Sequence, residues 1–187
     1  GGGVGAAAAV AAVGVVVVGA VAAVEEAGVE EAEEVVVVVG VAAAAARSAP
    51  VSVAALHRPS TVDHPELLQG ALDAMEQWVE ATDGSVVFPI HPRTLKVMES
   101  HHMKLPSRLV NPGPLGYLEM QAALCKADVV LTDSGGLQKE AWYQGTPAVI
   151  LRDTTEWREL IDIGASVLFD PAQLTSPSGR SALADHL

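Results

Sequence analysis

The sequence predicts an α/β fold, a Rossmann-like parallel sheet with helices on both faces. Two observations carry that expectation. From Val51 onward, short apolar runs alternate five or six times with helix-like stretches, joined by short connections. The residues best suited to chemistry, His57, His91, Arg93, Ser134, Gly135 and Arg152, each fall just after one of those runs. In open parallel sheets that is where ligands bind.

Taken in order, Pro50 marks a boundary and Val51 to Leu56 reads as a buried strand ending in His57-Arg58-Pro59. Asp63 and Glu66 have the spacing of a capping box, with Pro65 in the first turn. Leu68, Leu72, Met75 and Val79 then recur at helical spacing, and the helix stops near Asp83-Gly84. Ser85 to Ile90 is the second strand, followed by His91-Pro92-Arg93 and a helix to about His101. Leu109-Val110 starts a short strand, and a helix spans Tyr117 to Lys126. Asp128 to Leu131 is a strand, with a helix from Leu137 that stops at Gly145. Pro147 to Leu151 is a strand, Trp157 to Ile163 a helix closed by Gly164, and Ser166 to Phe169 a final strand. Residues 171–187 form a tail or helix.

Residues 1–46 stand apart because they use only Gly, Ala, Val and Glu. The segment is either of low complexity or a run of generic residue identities, corresponding to the end of a preceding domain or a crossover, and no chemistry is drawn from it. Val15 to Val18 and Val35 to Val39 have strand character, with a Glu-rich helix between them. Residues 1–24 are uncharged, but they lack Leu, Ile and Phe and have no flanking Lys or Arg, which argues against a membrane span or export signal.

The formal charge of -12 excludes nucleic acid and anionic membrane as the main partner. The lone Cys125 cannot form an internal disulfide, so the default setting is reducing and cytoplasmic.

The stretch with the strongest chemical signal is Leu131 to Glu140, where Ser134-Gly135-Gly136 links a strand to a helix. Adjacent glycines let backbone approach a ligand closely, and a helix beginning there presents free N–H groups and its positive dipole end. That combination suits a phosphate or diphosphate. Ser134 adds a hydroxyl, and Glu140, one turn on, is placed to accept from a ribose hydroxyl. The simpler alternative is a tight turn capped by Ser134. Arg58, Arg93 and Arg152 are candidates for bidentate phosphate contacts. His57 is a candidate phosphate donor or acid, since histidine ordinarily titrates near neutrality. Ser134 lacks a nucleophile elbow, and His101-His102 lacks a third ligand at zinc spacing.

Together LHRPSTVD, FPIHPRT, PLGYLEM, LTDSGGLQKEA and LRDTTEW make residues 51 to about 170 resemble the C-terminal domain of the non-hydrolysing UDP-N-acetylglucosamine 2-epimerases. The PLGYLEM, QKEA and TTEW pieces look most like the branch with archaeal-type enzymes and diacetamido-uronate epimerases. The resemblance implies the C-terminal half of a GT-B-like two-domain fold, with UDP held in the cleft. It implies Ser134, Gly135 and Gly136 on the diphosphate, Glu140 on the ribose, and His57 as a catalytic residue on the nucleotide side. It further implies the backbone near Tyr117 and Leu118 facing the uracil; Arg58 and Arg152, candidates from the residues themselves, complete the expected UDP site. The implied reaction inverts C2 of a UDP-amino sugar by eliminating UDP to a glycal and adding it back. No cofactor or metal is implied, and the full-length family is expected to form homodimers. Trp157 stands where many bacterial members have Arg, and Pro59-Ser60 departs from the commoner sequence after His-Arg. The family's N-terminal domain supplies acidic acid/base residues for which this chain lacks room. Two alternatives remain: a GT-B glycosyltransferase domain, or a UDP-binding module without catalysis.

Overall fold

The computed structural model describes residues 49–187; the strands and helix predicted within residues 1–46 lie outside them. The six strands are β1 (Val51–Ala55), β2 (Ser85–Val87), β3 (Leu109–Val110), β4 (Val129–Thr132), β5 (Ala148–Leu151) and β6 (Ser166–Phe169). All pair in parallel, in the order β3-β2-β1-β4-β5-β6. The strand order reverses between β1 and β4, where Ala55 pairs with Thr132. The helices are α1 (Pro59–Val62), α2 (Pro65–Thr82), α3 (Pro92–Ser100), α4 (Tyr117–Lys126), α5 (Gly135–Tyr143), α6 (Arg158–Asp162) and α7 (Pro177–Ala184), with a 3₁₀ turn at Pro171–Thr175.

The period-two geometry of a strand sends neighbouring side chains to opposite faces. Ala54, Leu131, Val149 and Leu151 enter the core beneath α2, while Val53, Val130, Ala148 and Ile150 enter the core with α4 and α5. Each face is covered, which is why these strands read as continuous apolar runs. On α2 the predicted stripe of Leu68, Leu72, Met75 and Val79 is buried.

The stretch after residue 170 shares this core. Leu174 and Leu183 are fully buried against it. The 3₁₀ turn lies so close to α2 that a Cβ on Gly70 would stand 2.6 Å from the Leu174 carbonyl oxygen and 2.8 Å from its Cβ. Only glycine permits that approach.

Four local expectations need correction. Asp63 does not cap α2: it ends α1, and its carboxylate is taken by Arg93, whose Nε donates to Oδ1 at 3.0 Å. The guanidinium brings a full opposite charge and a two-point contact, where a cap would offer the carboxylate only a backbone N–H, and His64 becomes the N-cap without a side-chain bond. The second strand is shorter than predicted, because Pro89 has no N–H to continue the ladder after Phe88 N–H donates to the Val110 carbonyl at 2.8 Å. Helix α5 starts at Gly135 rather than Leu137, so both glycines form its first turn. Helix α6 starts one residue late, because Trp157 is turned toward Gly135.

Candidate functional site

The reversal between β1 and β4 opens a crevice at the carboxyl edge of the sheet. β1 delivers His57 and Arg58 to one side of it, and β4 delivers Asp133, Ser134 and Gly135 to the other. Asp133 ties the sides together. Its buried carboxylate accepts the His57 N–H at 3.1 and 3.0 Å and the Arg58 N–H at 2.8 Å. The His57 Nδ1 lies 3.3 Å from the same carboxylate. Burial pushes the Asp133 carboxyl above its ordinary pKa, and the backbone donors of Arg58 and His57 oppose that without cancelling it. Thr132 adds a second tie: its hydroxyl donates to the Ala55 carbonyl at 2.9 Å and accepts the Ser134 N–H at 3.0 Å.

Ser134 is the N-cap of α5, its Oγ accepting the Leu137 N–H at 3.4 Å. The remaining first-turn N–H groups have no intrahelical acceptor, as at any helix start. Gly136 is exposed and Gly135 half-buried, so the turn is open. A Cβ on Gly136 would meet nothing closer than Glu140 Oε1 at 3.9 Å and Ser134 Oγ at 4.0 Å. The protein's own packing therefore does not require glycine at 136.

Glu140 is half-buried, and its Oε2 accepts from Gln121 Nε2 at 2.7 Å. One carboxylate oxygen is thus fixed by α4, while the other faces the glycine turn. His57 lies beside His91, which follows the neighbouring strand β2, with ring centroids 5.7 Å apart. His91 caps α3, accepting the Arg93 N–H at Nδ1. A cavity of about 250 Å³ opens here, lined among others by Leu56, His57, His91, Leu115, Ser134 and Leu137.

On the other side of the turn, Arg152 makes a bidentate pair with Glu156, at 2.7 and 3.0 Å. Arg58 Nη2 approaches the same carboxylate at 3.7 Å. The pairing with Arg152 lowers the Glu156 pKa to about 2. Trp157 closes this loop over α5: its indole N–H donates to the Gly135 carbonyl at 2.8 Å, and Lys139 Nζ stands 3.4 Å from its ring centroid. Thr155 donates its hydroxyl to the buried Gln138 at 2.6 Å and anchors the loop from below.

Of the residues predicted for the site, His57, Arg58, Ser134, Gly135, Gly136, Glu140 and Arg152 surround the opening of α5. Tyr117 and Leu118 begin α4 with side chains largely in solvent, and the cavity is instead lined by Leu115 and Met120. Arg93, also a phosphate candidate, is held by Asp63. Asp133 and Glu156 were not singled out from sequence. The available signal was an acidic residue immediately before Ser-Gly-Gly, and another four residues after Arg152.

A family model described as UDP-N-acetylglucosamine 2-epimerase matches residues 5–175. The chain belongs to this family. A curated UDP-2,3-diacetamido-2,3-dideoxy-D-glucuronate 2-epimerase of Pseudomonas aeruginosa is 42% identical over 132 residues, covering 70% of this chain and 36% of that protein. The UDP-N-acetylglucosamine 2-epimerase of Methanocaldococcus jannaschii is 38% identical over 117 residues, 60% of this chain and 32% of that one. A crystal structure of the M. jannaschii UDP-GlcNAc 2-epimerase in complex with UDP-GlcNAc and UDP superposes with a TM-score of 0.63 at 28% identity, covering 78% of this chain and 41% of that one. The chain thus spans about a third of the length of the curated epimerases it matches. Its six-stranded parallel sheet is Rossmann-like, and a structure of UDP-GlcNAc 2-epimerase from M. jannaschii matches it with a TM-score of 0.64 over 46% of that chain.

Proposed function

We propose that this chain is the UDP-binding half of a UDP-amino-sugar 2-epimerase. The diphosphate rests on the first turn of α5, with Ser134, Gly135 and Gly136 as donors and Arg58 and Arg152 as cations. Glu140 accepts from the ribose, and the uracil lies along the backbone near Tyr117 and Leu118. His57 faces the reacting side, where its imidazole donates to the phosphoryl group that leaves C1. The reaction interconverts UDP-GlcNAc and UDP-ManNAc, or a related pair. A base removes the C2 proton as the C1–O bond to UDP breaks; the glycal then regains a proton on the opposite face as UDP re-adds. The acid/base carboxylates for the C2 proton come from the family's N-terminal domain. We place the enzyme in the cytoplasm as a homodimer, supplying activated amino sugars for polysaccharide assembly.

The observation that carries this reading is the coincidence, at the strand-order reversal, of an open glycine turn with a histidine bound through Asp133 to the same turn. The M. jannaschii relative that superposes on the chain was crystallised with UDP-GlcNAc and UDP, which supports the ligand class. UDP titration tests it. Ser134→Ala should weaken binding by about 1.5 to 3 kcal/mol, the scale of one charge-assisted hydrogen bond; unchanged affinity removes Ser134 from the site. Product analysis with UDP-GlcNAc and no acceptor separates epimerisation from sugar transfer.

A further inference from the structure

We propose that Glu156 is a resident anion that phosphoryl groups must displace from Arg152 and Arg58. The inference rests on the placement of a diphosphate at the opening of α5. The Glu156 carboxylate already occupies the place such an anion would take. Besides pairing with both arginines, its Oε2 lies 3.4 Å from where a Cβ on Gly135 would stand, with Arg58 Nη2 3.5 Å from that point. A phosphoryl group drawn to the start of α5 would share both cations with a second negative charge at contact distance, which like-charge repulsion forbids at low cost.

The unequal burial of the partners says which one moves. The Arg152 side chain is 11% exposed, whereas that of Glu156 is 49% exposed and Arg58 37%. Arg152 is fixed in the wall, and Glu156 can swing into water by side-chain rotation alone. Its acidity keeps it charged throughout the neutral range, so displacement is by competition rather than by protonation. A ligand carboxylate would only exchange like for like, whereas phosphoryl groups also bring acceptor oxygens to the free N–H groups of α5.

Calorimetry with inorganic pyrophosphate on the full chain tests this, comparing the unmodified protein with Glu156→Gln. Removing the competitor should tighten pyrophosphate binding about two- to fivefold, the span of a partly exposed charged pair. Equal or weaker binding by the variant overturns the inference and makes Glu156 a support for Arg152 instead. If neither protein binds pyrophosphate, the phosphate site itself is wrong and both readings fall. Should Glu156→Gln not fold, Glu156→Ala serves the same purpose, since it removes the competing carboxylate altogether. Tighter binding supports displacement there too, and unchanged or weaker binding overturns it.

Discussion

Gly136→Ala separates the two things a glycine can do at the opening of α5. In the protein the added methyl meets only Glu140 Oε1 at 3.9 Å and Ser134 Oγ at 4.0 Å, both ordinary contacts. No strain follows. Helix propensity favours Ala over Gly by about 1 kcal/mol in a helix interior and by less in a first turn, so folding should be unchanged or gain roughly 0.5 kcal/mol. Binding should behave oppositely. The methyl stands where a phosphoryl oxygen would meet the first-turn N–H groups, and losing one charge-assisted hydrogen bond costs about 1.5 to 3 kcal/mol. That is about a 10- to 150-fold rise in the UDP dissociation constant. Isothermal titration with UDP, run beside urea unfolding of the same preparation, reads both. A dissociation constant within about twofold of the parent, in a variant of full stability, would show that no ligand backbone contact explains the glycine. A loss above about 1 kcal/mol in unfolding would instead show hidden strain at the turn.

Three further outcomes follow from the geometry. Glu140→Ala should lower affinity for UDP more than for inorganic pyrophosphate, because only the former has a ribose; equal losses on titration would count against that contact. Gly70→Ala should destabilise despite the better helix former: the clash with the Leu174 backbone costs about 1 to 3 kcal/mol against roughly 1 gained, and a stabilised variant in urea would contradict the packing of the 3₁₀ turn. Glu156, held at about 2 against an ordinary 4.5, contributes stability above pH 4.5 that is lost as the pH falls toward about 2. Because its side chain is half exposed, the contribution is below about 1 kcal/mol. The melting-temperature difference between the parent and Glu156→Gln should close over that window, and a difference independent of pH would mean the pair adds no stability.

The sheet was legible because each strand is a short apolar run closed by proline, glycine or a charged residue. Helix α4 was legible to its ends, since Gly116 and Asp128 bracket it with residues that resist helix on either side. Helix α1 was not, because four residues give too little periodicity to register. Nor was the fate of Asp63: a capping box is a local pattern, but its competitor, Arg93, arrives from 30 residues away. The site divides in the same manner. The glycine turn and its serine are a contiguous word in the chain, so they could be read directly. The bond from Asp133 to the His57 backbone spans 76 residues and exists only because β1 and β4 are paired in register. Glu156 meets Arg58 and Gly135 only because the loop carrying it lies over α5, where Trp157 donates to the Gly135 carbonyl.

The Asp133 carboxylate has a mechanical consequence. It precedes Ser134 in the chain yet holds the main chain of His57 and Arg58, so the glycine turn and the backbone that carries the imidazole share one anchor, reinforced by Thr132. A displacement of either one strains the bonds that Asp133 makes to the other. The position of the imidazole relative to the turn is thereby set by the sheet itself, through the register in which β1 and β4 pair.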